Sequence, residues 1–121
     1  MLLVAASMEQ ELSGLRQEML DIEDTTGVYP PVRLRVIGVG PERSGPTLAE
    51  ILQGNEFNVD GVLVLGVAGG IDPSLETGDL LLADRYALQN GAARGAGQAI
   101  RPDIGMLQSA EQAALNLSVP V

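Results

Sequence analysis

The most constraining feature of the sequence is a short apolar run that passes directly into a helical pattern. Residues 2–6, LLVAA, are continuously apolar, which is typical of a strand covered on both faces. The segment Ser7-x-x-Gln10 fits a capping box at a helix start, and an apolar stripe at helical spacing follows it. That stripe consists of Met8, Leu12, Leu15 and Met19. The spacing predicts a helix from about Met8 to Leu20, in which Glu11 stands at the margin of the stripe and is not needed for the cap.

Strand and helix patterns then alternate along the chain. We predict a strand from Val32, a helix from Arg43 or Ser44 to Gln53 with Pro46 in its first turn, and further strands over 62–67 and 79–86. Residues 21–31 and 90–99 are predicted as loops, the second of them flexible and glycine-rich. A last helix is predicted from Gly105 to Asn116, and residues 117–121 resemble the start of a strand. The alternation predicts a single α/β domain over 1–121 with a largely parallel or mixed sheet.

The composition excludes several kinds of chemistry. The chain has 121 residues with no Cys and no His, which removes Cys/His zinc sites, a Cys nucleophile and a His base. The formal net charge of −9 repels phosphate backbones, so we expect no nucleic-acid partner. No apolar run approaches the ~20 residues of a membrane span, and we expect a cytoplasmic protein without a membrane partner.

Small or polar residues follow three of the predicted strands. They are Ser7 to Glu11, Gly38-Val39-Gly40 and Val67-Ala68-Gly69-Gly70. In open α/β sheets, ligands bind outside the carboxyl ends of the strands, and small residues let a ligand approach the backbone. Glycine pairs more often serve only to turn the chain, so the pattern alone favours the turn.

Charged residues near these turns have two interpretations each. Glu11, close to a strand end, has the position of a general base, although an exposed Glu that favours the positive helix end is commoner. Arg43 could hold an anion at a helix start, although surface arginines are commoner. Asp72 and Asp79 are interpreted as turn and capping residues.

Three segments in order resemble the nucleoside phosphorylase and nucleosidase superfamily. They are LVAASMEQEL over 3–12, VIGVGPERSG over 36–45 and LGVAGGIDPSLETGDLLLAD over 65–84. The first is similar to the Met-Glu-x-Glu helix start of the family, and the third to its Gly-Ser/Thr-Ala-Gly-Gly segment. The similarity extends to about Tyr86 and includes methylthioadenosine/S-adenosylhomocysteine nucleosidase-like, futalosine hydrolase-like and hopanoid-associated phosphorylase-like members. It implies a three-layer fold with a mixed central sheet.

The resemblance also implies an activity, namely cleavage of the N-glycosidic bond of a purine-type nucleoside without a metal or organic cofactor. It implies that Glu11 activates water and that the sugar and its 5′ group contact Met8 and Val39. Substrate would also border Gly40, Val67, Ala68, Gly69 and Gly70. In a phosphate-dependent member, Arg43 would meet phosphate.

The chain departs from the family pattern in two ways. Val67 stands where the family has Ser or Thr, and residues 87–121 match neither the Met-Glu pair nor the Ser-Asp pair of the family's second half. We therefore expect the N-terminal half of a longer enzyme, with a truncated, non-catalytic nucleoside binder or subunit as the alternative. An open sheet edge and apolar helix faces predict a homodimer or larger assembly.

Overall fold

The computed structural model describes residues 1–26, 32–54, 58–87 and 100–119. The chain divides into two compact units, Met1–Gly69 and Gly70–Val121. The predicted flexible loop at 90–99 lies outside the described residues, as do the last two residues of the predicted C-terminal strand.

The first unit is a three-stranded parallel sheet with two helices. Its elements are β1 (Leu2–Ala6), α1 (Glu9–Thr26), β2 (Val32–Val36), α2 (Pro41–Gln53) and β3 (Gly61–Leu65). The strand order is β2-β1-β3, so β1 is central, and its Leu2 lies opposite Val32 and Gly61. Parallel strands joined through helices confirm the predicted α/β class.

The core of this unit surrounds the central strand. Because β1 has a neighbour on both sides, its residues Leu3 to Ala6 are all buried. Leu12 of α1 is fully buried and packs with Val4 and Ala6, and Leu34 of β2 joins the same cluster. Leu15 and Met19 pack against this cluster, which confirms the predicted stripe from Leu12 onward.

Helix α1 differs from its prediction at both ends. It begins at Glu9, so Met8 and not Ser7 occupies the N-cap position, and it continues to Thr26. The predicted loop over 21–31 is therefore wrong for residues 21–26. The helix continues there because no glycine or proline interrupts it before Gly27.

Helix α2 begins earlier than predicted, at Pro41. Proline suits this position because its fixed φ is helical and its missing N–H would have had no helical partner. The prediction that Pro46 lies in the first turn was wrong, because Pro46 is inside the helix. Its ring removes the N–H that would otherwise donate to the carbonyl of Glu42.

The second unit contains α3 (Ile104–Asn116), close to its prediction. Asp103 caps this helix, since its side chain accepts a hydrogen bond from the Met106 N–H at 2.9 Å. The predicted strand over 79–86 was wrong. Of those residues, Tyr86 alone pairs, in an isolated antiparallel bridge with Ile100.

Asp72 and Asp79 have the predicted turn roles. The Asp72 carboxylate accepts hydrogen bonds from the N–H and hydroxyl of Ser74 at 2.8 and 2.7 Å, and these lower the pKa of Asp72. The Asp79 carboxylate accepts from the Glu76 N–H at 2.8 Å.

Over the described parts of the chain, no helix combines the length and apolar character needed to cross a bilayer.

Candidate active site

The three strands of the first unit end at one edge of the sheet. Ala6 lies opposite Val36 and opposite Leu65, so the three loops that follow start at the same level. The Ile37 N–H donates to the Ala6 carbonyl at 2.8 Å and carries the β1–β2 pairing one residue further. The parallel sheet therefore brings together the beginnings of the three segments that the sequence singled out. We call this edge the carboxyl edge.

Glu11 connects two of these segments. Its Oε2 accepts a hydrogen bond from the Met8 N–H at 3.0 Å, and its Oε1 accepts one from the Val67 N–H at 3.2 Å. The first donor lies just beyond β1 and the second just beyond β3. Both carboxylate oxygens are therefore fixed in place, and the half-buried side chain lies at the carboxyl edge.

The contact with Met8 corrects the predicted capping box. Since α1 begins at Glu9, Glu11 is its third residue, and its carboxylate returns to the N-cap N–H as the acidic partner of a capping box does. The box formed by Ser7 and Gln10 was wrong, as was the inference that the helix end does not use Glu11. The Met8-x-x-Glu11 spacing carried this signal, but Met has no side-chain oxygen to complete a reciprocal box.

Small residues after β3 make room for this carboxylate. A Cβ placed on Gly66 would lie 3.4 Å from Glu11 Oε1, in van der Waals contact with the oxygen that accepts from the Val67 N–H. The backbone N–H of Val67 is the functional group that the sequence did not reveal. The sequence showed only a side-chain difference at this position, namely Val67 in place of the family's Ser or Thr.

Exposed apolar side chains belong to all three loops at the carboxyl edge. Met8 is 41% exposed, Val39 59% and Val67 82%. Ala68 and Gly69 are also exposed. A carboxylate with apolar surface on the neighbouring loops suits a ligand that has an apolar ring and a few polar groups.

The loop after β2 depends on two glycines with positive φ. Gly38 has φ +91° and Gly40 has φ +85°, a region that L side chains rarely adopt. A Cβ on Gly38 would lie 3.0 Å from the Cβ of Arg43, so this glycine lets α2 approach the loop closely. The Gly40 carbonyl accepts from the N–H and hydroxyl of Ser44, both at 2.9 Å.

Arg43 is exposed in the first turn of α2. Within the described residues, its guanidinium has no hydrogen bond or ion pair.

Gly70 belongs to the second unit, where a Cβ on it would lie 3.3 Å from the Cβ of Leu75. No group of three or more Asp, Glu, Cys or His residues suited to a metal occurs in the part of the chain that the structure describes.

The parallel sheet with a carboxylate at its carboxyl edge is an α/β arrangement, and in open α/β sheets ligands bind outside the carboxyl ends of the strands. A family model described as the phosphorylase superfamily matches residues 6–121. The chain belongs to this superfamily, which confirms the resemblance seen in its motifs.

Comparison with curated proteins gives a more specific relative. The chain is similar to a 5′-methylthioadenosine/S-adenosylhomocysteine nucleosidase from Geobacillus thermodenitrificans (strain NG80-2), with 26% identity over 132 aligned residues. The alignment covers 94% of this chain and 56% of the relative. The chain thus spans little more than half the length of that protein. No solved structure matches the chain.

Proposed function

We propose that the chain takes part in hydrolysis of the N-glycosidic bond of a purine-type nucleoside, with Glu11 as the base that activates water. The observation that carries this proposal is the hydrogen bonding of Glu11 to the Met8 and Val67 N–H groups, which fixes a carboxylate at the carboxyl edge. Membership of the phosphorylase superfamily and the similarity to a 5′-methylthioadenosine/S-adenosylhomocysteine nucleosidase support it.

The chemistry needs a base on the side of the sugar from which water attacks. The bond between C1′ and the nitrogen of the nucleobase breaks through an oxocarbenium-like transition state, and the electron pair of that bond leaves with the nucleobase. The water oxygen bonds to C1′ while Glu11 takes a proton from that water. The departing nucleobase gains one proton, so the net reaction consumes one water molecule. We assign only the water-activating step to a residue of the carboxyl edge.

The exposed small and apolar residues are proposed to bind the substrate. We assign Met8 and Val39 to the sugar and its 5′ group, and the backbone of Gly40, Val67, Ala68 and Gly69 to ribose and base. A purine ring and a thioether are largely apolar, which matches the exposed Met8, Val39 and Val67 side chains. Neither assignment requires a metal or an organic cofactor.

Base release from 5′-methylthioadenosine tests the proposal. We expect a protein that joins residues 1–121 to the second-half Met-Glu and Ser-Asp motifs of the family to release adenine, and Glu11→Gln in that protein to lower kcat by about 10²–10⁴ while the affinity for substrate changes little. Glu9→Gln is the matched control, because Glu9 is an exposed carboxylate two residues away in the first turn of α1. Equal loss in both variants, or unchanged kcat in Glu11→Gln, would rule out the proposed role.

A second candidate is phosphate-dependent cleavage, favoured by the exposed Arg43 guanidinium beside the Gly38–Gly40 loop. The same assay separates the two reactions. Hydrolysis yields free methylthioribose at a rate that does not depend on phosphate. Phosphorolysis requires phosphate, yields the sugar 1-phosphate and is weakened by Arg43→Gln.

A third outcome would identify a binding protein or subunit. Calorimetry that detects 5′-methylthioadenosine binding without any adenine release would support a nucleoside binder, and no binding would support a subunit.

We also propose a homodimer in the cytoplasm. Val64 of β3 is 65% exposed, and β3 pairs on one side only within the described sheet. Sedimentation as a monomer at micromolar concentration would contradict the dimer.

A further inference from the structure

The second unit contains a cavity of about 410 Å³ that the proposed reaction does not use. Its lining combines charged and apolar side chains. The lining residues are Asp84, Arg85, Arg101, Pro102, Ile104 and Leu107. All of them are described, and all belong to the unit Gly70–Val121.

An isolated bridge lies beside the two arginines of the cavity. Tyr86 and Ile100 exchange both backbone hydrogen bonds of an antiparallel bridge, at 2.7 and 2.8 Å. Arg85 precedes Tyr86 and Arg101 follows Ile100, so each arginine is next to one partner of this isolated bridge. Both side chains line the cavity.

Two like charges in the lining of one cavity repel each other unless an anion compensates them. Arg85 is partly compensated, since its Nε lies 3.7 Å from Asp84 Oδ1, but this pair is well exposed. Arg101 makes no hydrogen bond or ion pair with any described residue. The lining therefore carries two cations and one anion, in a chain whose formal net charge is −9.

The charged groups and the apolar wall of the cavity indicate which class of ligand it suits. Two guanidinium groups in the lining of one cavity match the several oxygens of a phosphate better than a single-charge anion does. Pro102, Ile104 and Leu107 give the remaining wall an apolar surface. The N-terminus of α3 is not the source of the attraction, because Asp103 already caps it with its own carboxylate.

We propose that the Arg85–Arg101 cavity binds a small phosphate monoester, with the phosphate between the two arginines and an apolar body against Ile104 and Leu107. The site is separate from the carboxyl edge in sequence and does not depend on the nucleosidase proposal. It would be either a second ligand site or a regulatory one.

Phenyl phosphate is a suitable probe, since it joins a phosphate dianion to an apolar ring. Titration of the full chain, followed by the NMR signals of the arginine Nε–H groups, should give saturable shifts at Arg85 and Arg101. Benzoate keeps the ring but carries one charge, and inorganic phosphate lacks the ring. We expect each of them to bind at least tenfold more weakly.

Variants make the test specific. Arg85→Gln and Arg101→Gln should each weaken phenyl phosphate binding about tenfold or more, the loss expected for a charge-assisted hydrogen bond. Asp84→Asn should tighten binding severalfold, because it removes the competing carboxylate. Arg43→Gln, a change in the first unit, should leave binding unchanged.

Several results would overturn the proposal. One is the absence of saturable binding, and another is binding that neither Arg85→Gln nor Arg101→Gln weakens. Loss of binding in Arg43→Gln would place the phosphate in the first unit instead. Benzoate binding as tightly as phenyl phosphate would refute the dianion assignment. If an arginine variant misfolds, Asp84→Asn still tests the proposal, because this variant is expected to strengthen binding.

Discussion

Glu11 is predicted to stabilise the fold as well as to serve the reaction, and the two roles can be separated. Its carboxylate accepts hydrogen bonds from the Met8 N–H at 3.0 Å and the Val67 N–H at 3.2 Å. The first bond stabilises the start of α1, and the second attaches the loop after β3 to that helix. Glu11→Ala removes both acceptors and leaves both N–H groups without this partner.

The magnitude follows from the number and exposure of these bonds. A hydrogen bond contributes about 0.5–1.5 kcal/mol net, and the half-buried position of Glu11 argues against the higher values for buried charged groups. Two bonds therefore give a loss of about 1–3 kcal/mol for Glu11→Ala. Glu11→Gln keeps one acceptor oxygen and turns an NH₂ toward the other donor, so about half of that loss is expected.

Urea denaturation followed by far-UV circular dichroism measures these differences in the free energy of unfolding. Amide hydrogen exchange at Val67 should accelerate in Glu11→Ala, since Glu11 accepts its hydrogen bond. Glu18→Ala is the control, because Glu18 is an exposed carboxylate on the same helix and its loss should stay within about 0.5 kcal/mol. Equal stability of Glu11→Ala and the wild type, with unchanged exchange at Val67, would refute this reasoning.

Further predictions concern the core, the loop after β2 and acid stability. Leu12→Ala should cost about 2–5 kcal/mol in chemical denaturation, since Leu12 is fully buried; a loss below 1 kcal/mol would contradict its core position. Gly38→Ala should cost about 1–3 kcal/mol because φ is +91° and the new Cβ would lie 3.0 Å from Arg43 Cβ; unchanged stability would argue against that loop geometry. The Arg16 Nε lies 2.5 Å from Glu9 Oε1, and this hydrogen bond lowers the pKa of Glu9. The pair therefore stabilises the fold above the unfolded pKa of about 4.3, and the contribution is lost as pH falls through the lower folded pKa. Arg16→Gln should reduce this part of the acid sensitivity in a pH series of unfolding midpoints, and an identical pH profile would contradict it.

The strands and helices with a clear period were predictable from the sequence. The uninterrupted LLVAA run predicted a strand buried on both faces, and β1 is indeed central, with Leu3 to Ala6 buried. The alternating residues from Val32 predicted β2, and the apolar spacing predicted α3 to within one residue at its start. The period of the side chains specified β2 and α3, whereas an uninterrupted apolar run specified β1.

The apolar run after Gly78 was not predictable. DLLLADRY over 79–86 has strand-like composition, yet Leu80 and Leu81 are exposed and Tyr86 alone forms a bridge. Whether such a run becomes a strand depends on a partner of distant sequence, which composition does not specify. The end of α1 was missed for a related reason, since the acidic residues after Leu20 gave no apolar period to follow.

The candidate site was predictable in its residue but not in its contacts. The sequence indicated Glu11 through its position near a strand end. It could not show that the Val67 N–H donates to it, because those residues are 56 positions apart and meet only through the parallel pairing of β1 with β3. Backbone donors carry no sequence signal of their own, so only the fold reveals them.

The initial rate of adenine release from 5′-methylthioadenosine by wild-type chain, Glu11→Gln and Glu9→Gln tests the central claim most directly. The three proteins should be compared at equal folded concentration, verified by circular dichroism. If Glu11 activates the attacking water, the Glu11→Gln rate falls by about 10²–10⁴ and the Glu9→Gln rate stays close to wild type. Adenine release by Glu11→Gln at the wild-type rate would contradict the claim that this chain's carboxylate performs that step.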